Sequence, residues 1–181
     1  MRVALSLLVA AALALGACGD DTVSGPAPPA PQRLKLSSVA FRDGEPIPSR
    51  YTCDGQGASP PLAWSGVPRA AKELALLMED PDAPNGTFVH WTAWGIDPST
   101  KGLPEGADGG VLTVGKNSFG DARYGGPCPP EGDDPHRYVF TVYALSGPLG
   151  LEEAAGPDDV REAIGKIALA KGTLTGTYGR R

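Results

Sequence analysis

Asp80-Pro81-Asp82-Ala83-Pro84-Asn85-Gly86-Thr87-Phe88-Val89-His90-Trp91 is the stretch on which the reading of this chain turns. Proline locks φ and pushes the residue before it towards extended geometry. Asp80 and Ala83 are therefore biased away from helix, and two carboxylates sit on a stiff backbone. Asn85-Gly86 signals a tight turn. Beyond it the residues alternate, with Phe88, His90, Thr92 and Trp94 on one face and Val89, Trp91 and Ala93 on the other. Period two predicts a strand.

The chain has only two histidines, and the second sits in a matching context. Tyr124-Gly125-Gly126-Pro127-Cys128-Pro129-Pro130 reads as a rigid, open loop. It leads into a second predicted strand from His136 to Leu145, with His136 and Tyr138 on one face. Each histidine thus stands at or near a strand start behind a proline-stiffened loop. The two loops are expected to form one site.

Outward from this pair, the chain reads as many short strands. Predicted strands cover 34–41, 62–65, 73–79, 110–115 and 172–178. The stretch 73–79 fits helix or strand by pattern, and its run into Asp80-Pro81 favours a buried strand. One convincing helix begins near Pro157, with Asp158 and Asp159 in its first turn. Its apolar residues Val160, Ala163, Ile164, Ile167 and Ala168 recur at helical spacing, and Gly172 is expected to stop it. With 25 Gly and 19 Pro in 181 residues, the pattern is mainly β, a sandwich.

The first 33 residues divide differently. Residues 1–17 have the proportions of a signal peptide: Met1-Arg2, then an apolar run over 3–15, too short to span a bilayer comfortably. Leu15-Gly16-Ala17-Cys18 resembles the bacterial lipoprotein box, which implies lipidation at Cys18. Residues 18–33 read as the lipidated cysteine and a Pro-rich linker, with a reach of roughly 40–45 Å at about 3.1 Å per residue. Residues 34–181 are the folded domain. The net charge is −5, and no basic run interleaves with aromatics, so nucleic acid is not an expected partner.

DPDAP followed by His90-Trp91, then GGPCPP followed by His136-Arg137-Tyr138, resembles the phosphatidylethanolamine-binding protein family. The likeness is to its bacterial, Raf-kinase-inhibitor-like branch, and Tyr51-Thr52-Cys53-Asp54-Gly55 and Ser59-Pro60-Pro61-Leu62-Ala63-Trp64 strengthen it. The resemblance covers roughly 34–181. It implies a Greek-key sandwich of two antiparallel sheets with a C-terminal helix and short helical turns. It also implies a small anion pocket lined by Asp80, Asp82, Pro84, His90, Gly126, Pro127, Pro129, Pro130, His136 and Tyr138. Histidine N–H and tyrosine O–H groups suit an anion. The two carboxylates would repel it and are assigned to orienting the rings.

The expected function is non-catalytic binding of a phosphate-like anion or phosphorylated group, with no cofactor. Inhibition of a partner kinase or protease and a membrane-anchored place in the bacterial cell envelope, outside the cytoplasm, go with it. Two other readings stay open. One is a metal-dependent hydrolase using Asp80, Asp82, His90 and His136, although no HxH or HExxH spacing is present. The other is a structural envelope lipoprotein. With Cys18 lipidated, Cys53 and Cys128 remain for a disulfide in an oxidising compartment; two buried thiols are the alternative.

Overall fold

The computed structural model describes Val23 and residues 25–107, 109–110 and 112–180. The signal peptide, Cys18 and the first part of the linker lie outside the described residues. Among the described residues, nine strands and one helix follow in order: β1 (Gln32–Arg33), β2 (Lys35–Ser37), β3 (Leu62–Ser65), β4 (Glu73–Asp80), β5 (Phe88–Ile96), β6 (Gly102–Leu103), β7 (Thr113–Val114), β8 (His136–Leu145), α1 (Pro157–Ile167) and β9 (Ala168–Tyr178). A 3-10 turn spans Ser49–Tyr51.

The strands form two sheets, one ordered β1-β9-β8-β4-β5-β7 and one ordered β2-β3-β6. Strand β8 returns over a long connection to lie beside β4, so β8-β4-β5-β7 has Greek-key order. The pairings are antiparallel except at one edge, where β1 runs parallel to β9.

Strand β4 separates two cores by period two. Leu74, Leu76 and Met78 face the small sheet, with Trp91, Phe140 and Val142. Ala75 and Leu77 face α1, with Trp94, Tyr143, Val160 and Ile164. The helix therefore covers the back of the large sheet, and the small sheet covers its front. Fully burying a Leu, Met or Phe side chain is worth about 1.5–3 kcal/mol each, which fixes the strand register.

Three expectations need correction. Helix α1 ends at Ile167, before Gly172, and β9 already begins at Ala168. Pairing with β8 overrides the helical propensity of Ala168-Leu169-Ala170. Gly172 serves instead as a point of close approach, since a Cβ there would lie 2.5 Å from the Leu34 carbonyl oxygen. The predicted strands at 34–41 and 110–115 shrink to β2 and β7.

The third correction concerns the Pro-rich stretch. From Gly25 on it is a strap bonded across the back of the domain. Arg161 donates to the carbonyls of Gly25 and Pro26, both at 2.9 Å. Pro28 O accepts from Lys171 Nζ at 2.9 Å and from the Tyr143 hydroxyl at 3.2 Å. Val23 N–H meets Thr87 O at 2.9 Å. A reach of 40–45 Å does not hold for a segment anchored this way.

Candidate ligand-binding site

Asp80 is the last residue of β4 and faces the front of the sheet. Its Oδ2 lies 2.8 Å from His136 Nδ1, at the start of β8. Its Oδ1 accepts the Asp82 N–H at 2.8 Å. Both oxygens are engaged, one closing the loop that Pro81 stiffens and one orienting an imidazole. Asp80 and His136 are both buried, at 3% and 6% exposure. The contact with Nδ1 holds the His136 ring in one orientation.

Asp82 does something else. It accepts from the Arg137 backbone N–H and Nε, both at 2.9 Å, and from its terminal guanidinium nitrogen at 2.6 Å. This bidentate pairing staples the first loop to β8, and the hydrogen bonds from Arg137 hold the Asp82 carboxyl below its ordinary range. Asp82 therefore braces the first loop against β8, through Arg137 rather than through either ring.

His90 is placed by an irregularity that alternation did not foresee. Met78 pairs with Trp91 and Glu79 with Val89, so His90 is an extra residue in β5, a β-bulge. Bulges re-aim side chains. His90 turns to the front, where its ring meets Tyr138 edge-on at 5.2 Å, while Trp94 stays on the helix side. Its Nδ1 bonds the Gly125 carbonyl at 2.9 Å. Burial is the main cause that lowers its pKa to about 4, against the pull of the Gly125 carbonyl and Asp80. His90 is therefore uncharged at neutral pH.

Tyr138 is fully buried, and its hydroxyl is sealed from solvent. Burial and the neighbouring Asp80 push its pKa up, so the O–H stays protonated. The sequence reading offered this hydroxyl as a donor to an anion, whereas the structure seals it inside the core.

The second loop is held by backbone and by a cross-link. A Cβ on Gly126 would lie 2.9 Å from Tyr51 O, so only glycine lets the second loop touch the turn at Ser49–Tyr51. Pro127 O accepts the Cys53 N–H at 3.1 Å. Cys53 and Cys128 form a disulfide, which decides between the two readings left open. Pro127 and Pro129 are buried, whereas Pro84 and Pro130 are exposed.

Two residues at the site were missed. Phe119, 54% exposed, packs against Phe88 at 4.6 Å and His90 at 5.6 Å. With Tyr124, Gly125 and Gly126 it lines a cleft of about 360 Å³ beside the disulfide. Asp133 places Oδ2 3.8 Å from His136 Nε2. A lone aromatic in the polar stretch Ser118-Phe119-Gly120-Asp121 was the available signal for the first. A cleft of similar size at the other end is lined by exposed residues such as Ser65, Arg69 and Lys101, away from both histidines. Among the described residues, no three His, Cys, Asp or Glu side chains converge as metal ligands.

The phosphatidylethanolamine-binding protein family model matches residues 37–179. A UPF0098 protein of Methanothermobacter thermautotrophicus is 47% identical over 152 residues, covering 81% of this chain and 99% of that protein. A UPF0098 protein of Aquifex aeolicus is 42% identical, covering 81% and 89%. The crystal structure of a phosphatidylethanolamine-binding protein homologue from Chlamydia trachomatis superposes with a TM-score of 0.77 at 40% identity, over 83% of this chain and all of that one. Escherichia coli YbcL, described as a member of the mammalian family, gives 0.78 at 31% identity, over 82% and 99%. The chain belongs to the phosphatidylethanolamine-binding protein family. Its fold is a ligand-binding one.

Proposed function

We propose that this protein binds a phosphate-like anion or phosphorylated group without catalysing its conversion, at the end of the sandwich where the two loops meet. The observation that carries the reading is the Asp80–His136 pair at 2.8 Å. It spends the carboxylate on Nδ1 and leaves Nε2, on protonation, as a charged donor towards the loops. A charge-assisted hydrogen bond is roughly twice as strong as a neutral one. The two-glycine backbone at 125–126 and the aromatic wall of Phe88 and Phe119 suit a small, oriented group.

Calorimetry with inorganic phosphate tests this. The wild type should bind phosphate without added metal, and His136→Ala should lose most of the affinity. Affinity that rises with pH, or that needs added zinc, would favour a metal site, because protons compete with a metal for imidazole.

The protein is also proposed to work from the cell envelope, tethered through lipid on Cys18. The box before that cysteine and the apolar run over 3–15 support this. Mass spectrometry of the mature N-terminus should find a diacylglyceryl cysteine. Inhibition of a partner enzyme belongs to the same proposal, and a pull-down with the loops intact and with Phe119→Ser addresses it.

A further inference from the structure

We propose that the back of the large sheet, beside α1 and β9, is a docking groove for proline-rich protein segments, which the chain's own strap fills in cis until a partner's segment takes its place. The proposal does not rest on the anion-pocket reading.

The strap has the chemistry of a ligand. Every residue from Pro26 to Pro31 is a proline or stands directly before one. Proline fixes φ, and the residue before it is held extended. The segment is therefore close to its bound shape before it docks, and little conformational entropy is lost on binding. Grooves that read proline-rich segments exploit this stiffness. Only Ala27 and Ala30 carry a backbone N–H among these six residues. The segment thus offers carbonyl oxygens and asks for few acceptors in return.

The groove answers with donors. Arg161 reaches the carbonyls of Gly25 and Pro26, while Lys171 Nζ and the Tyr143 hydroxyl both reach Pro28 O. These donors stand on α1, β9 and β8, so the packed domain sets their spacing. Arg161 and Tyr143 are buried, and a buried donor needs an acceptor. A groove left by the strap therefore favours another carbonyl-rich segment. Pro28 is the anchor. It is buried while Pro26 and Pro29 are exposed, and it lies against Gly165 of α1, where a Cβ would come 3.8 Å from Pro28 Cβ.

Two observations make the occupant exchangeable. A cleft of about 370 Å³ stays open between the strap's prolines and Asp158, Arg161 and Glu162, a foothold for a competing segment. The strap also lies outside residues 37–179, the span that the family model matches. The walls of the groove belong to the shared domain, and the segment that fills it does not.

The probe is a synthetic peptide of residues 25–32, blocked at both ends and labelled with a fluorophore, read by anisotropy on the full chain. In the wild type the strap competes at the effective concentration of a tethered ligand, on the order of millimolar, so the peptide should bind weakly. Pro28→Gly/Pro29→Gly leaves the groove intact and should bind the peptide at least about tenfold tighter, a step of about 1.4 kcal/mol. Adding Tyr143→Phe and Lys171→Met to that variant should abolish the gain. Nitrogen-15 NMR of the Ala27 and Ala30 amides reports whether the strap has left. A strap that leaves without any gain in peptide affinity would overturn the proposal and reduce the strap to a structural brace. So would a strap that stays docked without its prolines, or a peptide with serine at every proline that binds equally well. A wild-type dimer dissolved by the peptide would put a second copy's strap in the groove and overturn the assignment to a partner. If the glycine variant does not fold, titrating the wild type with the peptide decides on the same amides: displacement supports the groove, and none at several times the effective concentration overturns it.

Discussion

Glu79 and Asp80 are neighbours in β4 and serve opposite faces of the sheet. Glu79 points back, where its Oε1 lies 3.0 Å from Arg161 Nε on α1. Asp80 points forward, 2.8 Å from His136 Nδ1. One residue step in a strand reverses the side chain, so consecutive carboxylates serve two separate tasks. The rear pair aims the guanidinium that grips the strap, and the front pair aims the ring of the site.

The rear pair is buried on both sides, with side chains 7% and 4% exposed. Burial is also what pushes the Glu79 carboxyl up. Arg161→Met should lower stability by about 3–5 kcal/mol, the cost of stranding a buried charge. It should also expose the strap near Gly25 and Pro26 to protease. The double variant Glu79→Leu/Arg161→Met should recover much of the stability but not the protection. Urea unfolding and limited proteolysis read the two effects separately.

Acid should weaken the fold through His90. Its pKa is about 4 in the folded chain against a reference of 6.5, so the unfolded chain takes up the extra proton first. This contribution is full above pH 6.5 and falls as the pH drops towards 4, by up to about 3 kcal/mol. Carbon-13 NMR should show the His90 ring flat from pH 8 to pH 5. A midpoint near 6.5 would contradict the buried, neutral ring.

Asp133 competes for the nitrogen that an anion would use. It stands 3.8 Å from His136 Nε2 with 47% of its side chain exposed. Asp133→Asn should tighten phosphate binding by about two- to fivefold, the range for a partly exposed charge pair. The gain should shrink at high salt. Equal affinity in both proteins at low salt would show that Asp133 leaves the nitrogen free.

The disulfide joins residues 75 apart in sequence. In the chain-entropy account, closing such a loop is worth about 4 kcal/mol. Cys53→Ser/Cys128→Ser should lose stability of that order in urea. Phosphate affinity should fall as well, since Gly126 then has less to hold it against Tyr51. A variant as stable as the parent would mean that Tyr124, whose hydroxyl reaches Tyr51 O at 2.8 Å, already does the tethering.

The legible parts were those governed by local rules. Prolines flanking Asp82, strict alternation from His136, and a buried run into Asp80 each announce their own geometry. That the two loops share one site was legible, but that Asp80 rather than Asp82 meets His136 depends on the pairing of β4 with β8. The bulge at His90 was not legible, because it depends on how β5 registers against β4. The strap looked like a free polyproline segment because its partners, Tyr143, Arg161 and Lys171, lie more than a hundred residues away. Asp133 was hidden inside an acidic loop whose turn, closed by Asp133 N–H on Pro130 O at 3.4 Å, decides which carboxylate meets the ring.

The strap also settles where the described chain leaves the domain. Val23 is bonded to Thr87, at the entrance to β5. Near the other terminus, Arg180 pairs with Asp54 and Glu131, each at 3.1 Å. Both described ends therefore lie beside the loops of the candidate site. A dye or fusion partner joined there would crowd the entrance, whereas one carried on the far loops around Arg69 or Ser99 would leave it clear.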